Sequence, residues 1–152
     1  MQARAATADD VTEVVRLAAL MYASIGHDVT NPEWIEAART AYTQRLGGDL
    51  GVFVVDHPDR EGLAASGAAT VSARLPAPNN ISARTGYIQW IATDEDARRR
   101  GYGRVVMLAL LAWCDEQEIN VSELHATTDG DPLYRSLGFA EGPHVALRRR
   151  RA

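Results

Sequence analysis

The chain has 152 residues, of which 46% are hydrophobic, and a formal net charge of −4 at pH 7. A chain of this length can bury a sufficient core without metal or disulfide cross-links, so we expect residues 1–152 to form one domain. The sequence pI near 5.5 argues against a dedicated nucleic-acid-binding domain, whose pI usually exceeds about 9.

The cysteine and lysine counts restrict the possible chemistry, and the apolar segments restrict the possible cellular compartment. Cys114 is the single cysteine, which excludes an internal disulfide, and the absence of lysine excludes a lysine Schiff base. The segment MQARAATADD has no apolar signal core, and the longest apolar run, VVMLALLAWC, has ten residues, about half of a bilayer span. We therefore expect a cytoplasmic protein.

The first half of the chain predicts two helices followed by two strands. Thr7 and Asp10 have capping-box spacing, and apolar residues then recur at helical spacing until Gly26. Asn31-Pro32 predicts the start of a second helix, which would continue over 34–46 and end at two glycines. The segments 51–56 and 63–74 are predicted strands joined by a polar turn.

The second half predicts a loop over 74–86, a strand over 86–93 and a helix over about 99–118. A strand over 121–127, a short helix over 132–137 and a β tail in FAEGPHVALRRR would follow. This order predicts a mixed α/β layer fold.

The segment RRRGYGR, residues 98–104, places four arginines and two glycines before the longest apolar run. A solvated basic patch, a nucleic-acid contact and a phosphate cradle are the three interpretations. The unpaired N–H groups at a helix start carry partial positive charge and can bind phosphate where glycine lets the backbone approach. The dinucleotide motif fails because Val106 stands at its third glycine, and a P-loop would need lysine.

Two motifs carry a resemblance to a known family. Arg98-x-x-Gly101-x-Gly103 resembles the pyrophosphate-binding motif R/Q-x-x-G-x-G/A of the GNAT N-acetyltransferase superfamily, and DPLYRSLGF, residues 131–139, resembles its LYxxxGF segment. The similarity extends over essentially the whole chain. It implies a mixed, mostly antiparallel sheet with helices on both faces and with the fourth and fifth strands splayed apart.

The resemblance also implies an activity: transfer of an acetyl group from acetyl-CoA to a primary amine by direct attack in a ternary complex, without a metal, in a homodimer. Tyr134 would be the general acid, because a phenol with a pKa near 10 stays protonated at neutral pH and can protonate the leaving thiolate. A β-carbon at either glycine should obstruct the diphosphate. The residues implied in acetyl-CoA binding are Ile91, Ala92, Thr93, Arg98, Arg99, Arg100, Gly101, Tyr102, Gly103 and Arg104.

The sequence leaves the general base and the acceptor open. Several relatives carry a glutamate in the middle of the fourth strand, where this chain has Gln89, and an amide cannot take up a proton. A small amine, an amino acid, an antibiotic and a protein N-terminus all stay possible as acceptors. Weaker candidates for the base, each with a structural alternative, are Asp94, Glu95, His125, His27 and Glu33.

Two other functions compete with the enzyme. A non-catalytic acyl-CoA-binding sensor would keep the phosphate cradle and lack an efficient base, as Gln89 suggests. A nucleic-acid binder would show binding that weakens steeply with salt and does not compete with CoA.

Overall fold

The computed structural model describes residues 2–152, which form five strands and four α-helices. Short 3-10 turns, Ala8–Asp10 and Glu95–Ala97, precede the first and third helices. In chain order the elements are β1 (Arg4–Ala5), α1 (Val11–Ser24), α2 (Pro32–Arg45), β2 (Leu50–Asp56), β3 (Leu63–Ala73), β4 (Arg84–Thr93), α3 (Tyr102–Glu116), β5 (Val121–Glu123) and α4 (Asp131–Ser136).

The first two helices begin where the capping residues predict. The N–H of Thr7 donates to the Asp10 carboxylate over 2.8 Å, and the Asn31 side-chain oxygen accepts the N–H of Glu33 over 2.9 Å. These bonds satisfy N–H groups that a helix start leaves without a partner. Gly26, with φ of +95°, follows the end of α1, as expected for a residue that terminates a helix in the left-handed region.

The five strands form one sheet in the order β1-β2-β3-β4-β5. Neighbours are antiparallel from β1 to β4, whereas β5 runs parallel to β4. The β4–β5 ladder covers only three pairs and ends at Tyr87 opposite Glu123. β4 continues to Thr93 without pairing to β5, so the two strands diverge beyond Tyr87, and the expected splayed sheet is confirmed.

A β-bulge interrupts β4 next to this divergence. Gln89 lies opposite Ala68 and Ala92 lies opposite Ser66, so Gly67 faces both Trp90 and Ile91. Trp90 has φ of +58°, a left-handed conformation that is strained for a bulky residue and that clusters at functional sites. The bulge turns Trp90 toward the core beneath α1 and Ile91 toward the core beneath α3.

Helices cover both faces of the sheet. Val14 and Leu17 of α1 and Tyr42 of α2 are buried against one face. Val106, Met107 and Leu110 of α3, together with Tyr134 of α4, are buried against the other. The apolar run after residue 104 is therefore the buried stripe of α3.

Several elements differ from the sequence prediction. β5 ends at Glu123 instead of residue 127, α3 begins at Tyr102 instead of residue 99, and β1 was not predicted. The predicted β tail is wrong: residues 139–152 contain no strand, and Val145 and Leu147 are 86% and 93% exposed. Alternating apolar residues form a strand only where a neighbouring strand accepts their backbone hydrogen bonds.

Candidate active site

A cleft of about 610 Å³ opens where β4 and β5 diverge. Its walls come from the end of β4, the start of α3, the β5–α4 loop with α4, and the last turns of α1. The lining residues are Met21, Ser24, Ile91, Ala92, Thr93, Arg98, Arg99, Gly101, Gly103, Arg104, Thr127, Asp129, Gly130, Leu133 and Tyr134. The structure thus brings Tyr134 and eight of the ten expected acetyl-CoA-binding residues into one cleft.

The other two expected residues have side chains directed elsewhere. Tyr102 is 7% exposed and packs in the core beneath α3, so only its backbone can reach a ligand in the cleft. Arg100 lies 3.6 Å from the Asp59 carboxylate. An exposed ion pair of this kind is weak and would not prevent the guanidinium from moving to another anion.

The start of α3 presents free backbone donors to the cleft. Gly101 is the N-cap, no described side chain caps this end, and the first turn contains no acidic residue. Val105 is the first residue whose N–H bonds back to the helix start, at the Gly101 carbonyl over 3.2 Å. The N–H groups of Tyr102, Gly103 and Arg104 therefore have no helical partner, as an anion site at a helix N-terminus requires.

The two glycines of this turn are needed for different reasons. Gly101 has φ of +84°, and a β-carbon built on it would meet no atom within 4 Å. Glycine is required at this position for its backbone conformation, because residues with a side chain are unfavourable in the left-handed region. A β-carbon on Gly103 would lie 3.4 Å from Leu133, an ordinary contact, so the protein itself leaves room there and only a ligand could exclude a side chain.

Three arginines around this turn lie along the cleft with exposed side chains. Arg98 donates to the Thr93 carbonyl over 3.4 Å, and Arg104 donates to the Ser136 hydroxyl over 3.1 Å. Arg99 also lines the cleft. These bonds to neutral partners leave the positive charges uncompensated, and guanidinium groups form strong charge-assisted bonds to phosphate.

Tyr134 lies at the opposite wall of the cleft. It is 9% exposed, its ring packs edge-on against Phe139 with centroids 6.3 Å apart, and burial raises the pKa of its phenol. A phenol with a raised pKa keeps its proton at neutral pH and can donate it. A β-carbon on Gly130 would lie 2.7 Å from the Tyr134 ring, so the glycine leaves the space that the tyrosine occupies.

Neither Gln89 on β4 nor the candidate base Asp94 in the turn after it can serve as the general base. Gln89 lies opposite Ala68 of the core beneath α1 and cannot take up a proton. Asp94 is buried and accepts bonds from Arg16, Arg60 and the N–H of Glu95. Burial raises the pKa of Asp94, but the two guanidinium groups more than offset this and hold it below its ordinary value. Both Asp94 oxygens are thus engaged in holding the turn.

The other candidate bases lie outside the cleft lining. Glu95 is exposed in the turn after β4, and Glu33 is exposed in the first turn of α2. The His27 ring packs edge-on against Tyr22 at 5.5 Å. The Nδ1 atom of His125 lies 2.6 Å from the hydroxyl of Tyr87, a pairing that the sequence did not predict.

Sequence reasoning also missed several residues of the cleft wall. Met21 and Ser24 belong to α1, while Thr127, Asp129 and Gly130 belong to the β5–α4 loop. α1 crosses the sheet so that Arg16 meets Asp94 at the end of β4, which places the following turn of α1 beside the cleft. Of these five residues, only Gly130 lies next to a motif that the sequence analysis identified, since it directly precedes DPLYRSLGF and lies four residues before Tyr134.

No group of three or more His, Cys, Asp or Glu side chains within residues 2–152 is arranged to hold a metal ion. Over the same described residues, no helix has the length and apolar character needed to cross a membrane.

An open sheet with diverging β4 and β5, an uncapped helix start facing the divergence and a buried tyrosine on the cleft wall define a mixed α/β protein with a cleft suited to an anionic ligand. The sequence profile of the acetyltransferase (GNAT) family matches residues 21–139, and the chain belongs to this family. The activity of the family is acetyl transfer.

Solved structures share the fold over almost the full chain. A predicted acetyltransferase from Clostridium acetobutylicum, crystallised with acetyl-CoA, is 19% identical, with a TM-score of 0.86 over 97% of this chain and 95% of that one. A GCN5-related N-acetyltransferase from Ralstonia eutropha is 23% identical, with a TM-score of 0.82 over 97% of both chains. Glucosamine-6-phosphate N-acetyltransferase from Arabidopsis thaliana is 15% identical, with a TM-score of 0.73 over 97% of both. No curated protein sequence matches this chain.

Proposed function

We propose that this protein is an N-acetyltransferase that moves the acetyl group of acetyl-CoA to a primary amine by direct attack in a ternary complex. The observation that carries the proposal is the cleft itself, whose lining includes both the start of α3 with its free N–H groups and the largely buried Tyr134. Residues 1–152 would act as one catalytic domain, while the cytoplasmic location and the homodimer stay predictions.

The residues around the cleft fit a phosphorylated acyl carrier. The N–H groups of Tyr102, Gly103 and Arg104 and the guanidinium groups of Arg98, Arg99 and Arg104 would hold the diphosphate. The edge of β4 that β5 leaves unpaired after the bulge, residues 91–93, would hold the pantetheine arm as a strand partner would. Acetyl-CoA would supply the thioester on which the acceptor acts.

Tyr134 would serve as the general acid. A thiol has an ordinary pKa near 8.5, so a leaving thiolate can take a proton from a neighbouring phenol that has retained it. Because burial raises the pKa of Tyr134, the phenol would stay in its donating form across the neutral range and into mild alkali.

The acceptor amine must lose a proton. At pH 7, neutralising an alkylamine with a pKa near 10.4 costs about 4.6 kcal/mol, whereas an α-amino group costs about 1 kcal/mol. An alkylamine acceptor therefore depends strongly on a base, and an α-amino acceptor depends on it weakly. The pH dependence of the rate with the two classes distinguishes them.

Two measurements on the purified protein test the proposal. Calorimetry with acetyl-CoA and with CoA should show binding, and thiol release should rise when alkylamines, amino acid amides or short peptides with a free α-amino group are added. The absence of binding heat at millimolar acetyl-CoA would overturn the assignment. Binding without thiol release on any of these amines would instead support the non-catalytic sensor.

A further inference from the structure

Tyr87 and His125 form a hydrogen-bonded pair where β4 and β5 begin to diverge. The Tyr87 hydroxyl and the His125 Nδ1 atom are 2.6 Å apart, with ring centroids 5.7 Å apart. Tyr87 forms the last β4–β5 pair with Glu123, and His125 follows two residues later. The pair thus lies where β4 and β5 begin to separate, and the coenzyme cleft lies further along β4, where the two strands are apart.

The pair faces the side of the sheet that α1 covers. Tyr87 precedes Gln89 by two residues, so both side chains lie on the same face of β4, and Gln89 pairs with Ala68 of the core beneath α1. Tyr22, near the end of α1, is close enough to raise the pKa of Tyr87. Neither Tyr87 nor His125 lines the coenzyme cleft. Roughly 13 Å of strand separates Tyr87 from Ile91, so the acceptor would lie between the pair and the coenzyme cleft, with its amine next to the Tyr87 hydroxyl.

The surroundings of Tyr87 keep its hydroxyl protonated. Burial raises the pKa of Tyr87, Tyr22 and Glu123 raise it further, and Arg148 of the C-terminal segment lowers it. The phenol therefore keeps its proton and can donate it to Nδ1 of His125, which is the direction that a relay from Tyr87 to the imidazole requires. A neutral imidazole that accepts at Nδ1 carries its own proton on Nε2, and the His125 side chain is exposed, so Nε2 can exchange this proton with solvent.

We propose that Tyr87 and His125 form a proton relay that takes up the proton lost by the acceptor amine, with the Tyr87 oxygen as first acceptor and the imidazole as terminal base. The proposal rests on the proposed N-acetyltransferase function. A relay of this kind would explain how the protein functions with Gln89 in place of a carboxylate on β4. His125, two residues after the end of β5, would supply the base on the same face of the sheet.

Atoms and charges balance in this step. The amine nitrogen bonds to the acetyl carbon, the carbon–sulfur bond breaks, and the electron pair stays on sulfur, which takes the proton of Tyr134. Before the attack, the ammonium form of the acceptor gives one proton to the Tyr87 oxygen, directly or through one water, while the Tyr87 proton passes to Nδ1 of His125. The second proton of the nitrogen goes to solvent once the carbon–nitrogen bond has formed. The resulting imidazolium releases its Nε2 proton to solvent, and proton exchange of the exposed ring with solvent restores the tautomer that is protonated on Nε2 and free on Nδ1. Tyr134 recovers a proton from solvent.

Nuclear magnetic resonance of the protein without substrates tests the ground state of the relay. The ¹⁵N shifts of His125 should show Nδ1 unprotonated and Nε2 protonated above the pH at which the ring becomes neutral. Tyr87→Phe should convert this single tautomer into a mixture, because the donor to Nδ1 is lost. A His125 that carries its proton on Nδ1 would contradict the relay whatever the acceptor is.

Kinetics with the fastest amine of the panel test the relay in turnover. His125→Gln keeps an acceptor for the Tyr87 hydroxyl but cannot take up a proton, and Tyr87→Phe removes the link. Each should lower kcat by about 10²-fold, the lower range for general base catalysis, without changing the Kd of acetyl-CoA. The double variant should be no slower than either single variant, because residues that act as one unit are not additive.

Two further variants separate chemistry from folding. His125→Ala should regain activity when imidazole is added to the buffer, because the position is open to solvent. His144→Gln makes the same chemical change at an exposed histidine of the C-terminal segment and should behave as the wild-type protein.

Each kinetic outcome decides between the two proposals. Wild-type turnover with unchanged kcat in Tyr87→Phe and His125→Gln, or with losses that multiply in the double variant, would overturn the relay alone. Acetyl-CoA binding without wild-type turnover on any amine would overturn the proposed function and the relay together.

Discussion

Tyr134 combines burial with a position on the cleft wall, which is the combination that a general acid at this site needs. It is 9% exposed and its raised pKa follows from burial alone. The same burial would be compatible with a packing role, so the hydroxyl must be tested separately from the ring.

Replacing Tyr134 by Phe removes the hydroxyl and keeps the packing against Phe139. We expect kcat to fall by about 10²-fold, the lower range for a general acid, because a thiolate is already a moderate leaving group. The Kd of acetyl-CoA from calorimetry should not change.

Tyr42→Phe is the matched control for this change. The Tyr42 hydroxyl donates to the Thr7 carbonyl over 2.6 Å, away from the cleft. This variant should lose about 1 kcal/mol of unfolding free energy in urea and keep its kcat. An unchanged kcat in Tyr134→Phe would remove Tyr134 from the chemistry.

Gly130 tests the position of the Tyr134 ring without altering the ring. Its φ of −85° suits alanine, but the added β-carbon would lie 2.7 Å from the ring, which must then shift. We expect Gly130→Ala to lower kcat by about 10-fold or more, because small displacements of a catalytic group are costly, with little change in urea unfolding. Gly142→Ala, where the nearest atom is 3.9 Å away, should change neither quantity.

At the level of elements, a cluster of charges fastens the turn that leads from β4 into α3. Asp94 accepts bonds from Arg16 of α1 and from Arg60 of the β2–β3 turn. Glu13 of α1 binds Arg16 and also accepts the N–H of Leu63 at the start of β3. Three segments distant in sequence thus converge just before the glycine-containing start of α3.

The acid stability of the protein should depend on this cluster. The pKa of Asp94 in the folded state is lowered from an ordinary 3.8, so its contribution is present above that pH and is lost as pH falls through the folded value. Asp94→Asn should lower the free energy of unfolding at pH 7 by about 1 to 3 kcal/mol. It should also reduce the fall in stability below about pH 4.

Urea unfolding at pH 7 and pH 3 measures both effects. Asp115→Asn, at an exposed position on α3, should unfold as the wild-type protein does at each pH. If Asp94→Asn retained the full acid dependence of the wild type, the stability loss would have to be assigned to other carboxylates with lowered pKa values, such as Asp10 and Glu13.

At the level of the whole molecule, the proposed coenzyme site joins β4, α3 and the β5–α4 loop, so binding should stabilise the fold globally. A ligand at 100 times its Kd that binds only the folded state raises the free energy of unfolding by about 2.7 kcal/mol. We expect acetyl-CoA to produce a shift of this size in urea unfolding.

Gly101→Ala provides the comparison for this measurement. An alanine with φ of +84° is strained, so the variant should be less stable by about 1 kcal/mol. Its turn should also misplace the N–H groups at the start of α3. Its stabilisation by the same acetyl-CoA concentration should therefore be smaller than in the wild type. An equal stabilisation would mean that this turn does not hold the diphosphate.

The sequence by itself determined the features that depend on neighbouring residues. The caps at Thr7 and Asn31, the strands β2 to β4 and the buried stripe of α3 follow from periodicity or backbone preference within one segment. The two motifs with Gly101 and Tyr134 were found by their resemblance to the GNAT family. The predicted start of α3, at about residue 99, lies three residues before the observed start at Tyr102.

Tertiary structure decided what depends on residues that meet only after folding. The bulge at Trp90 needs the register of β3 against β4, and the missing tail strand depends on whether a partner is available. Met21 enters the cleft wall because α1 crosses the sheet, and Tyr87 meets His125 across 38 residues of chain. Such contacts leave no local pattern, because the physical interaction that creates each of them is set by packing and strand register rather than by the intervening sequence.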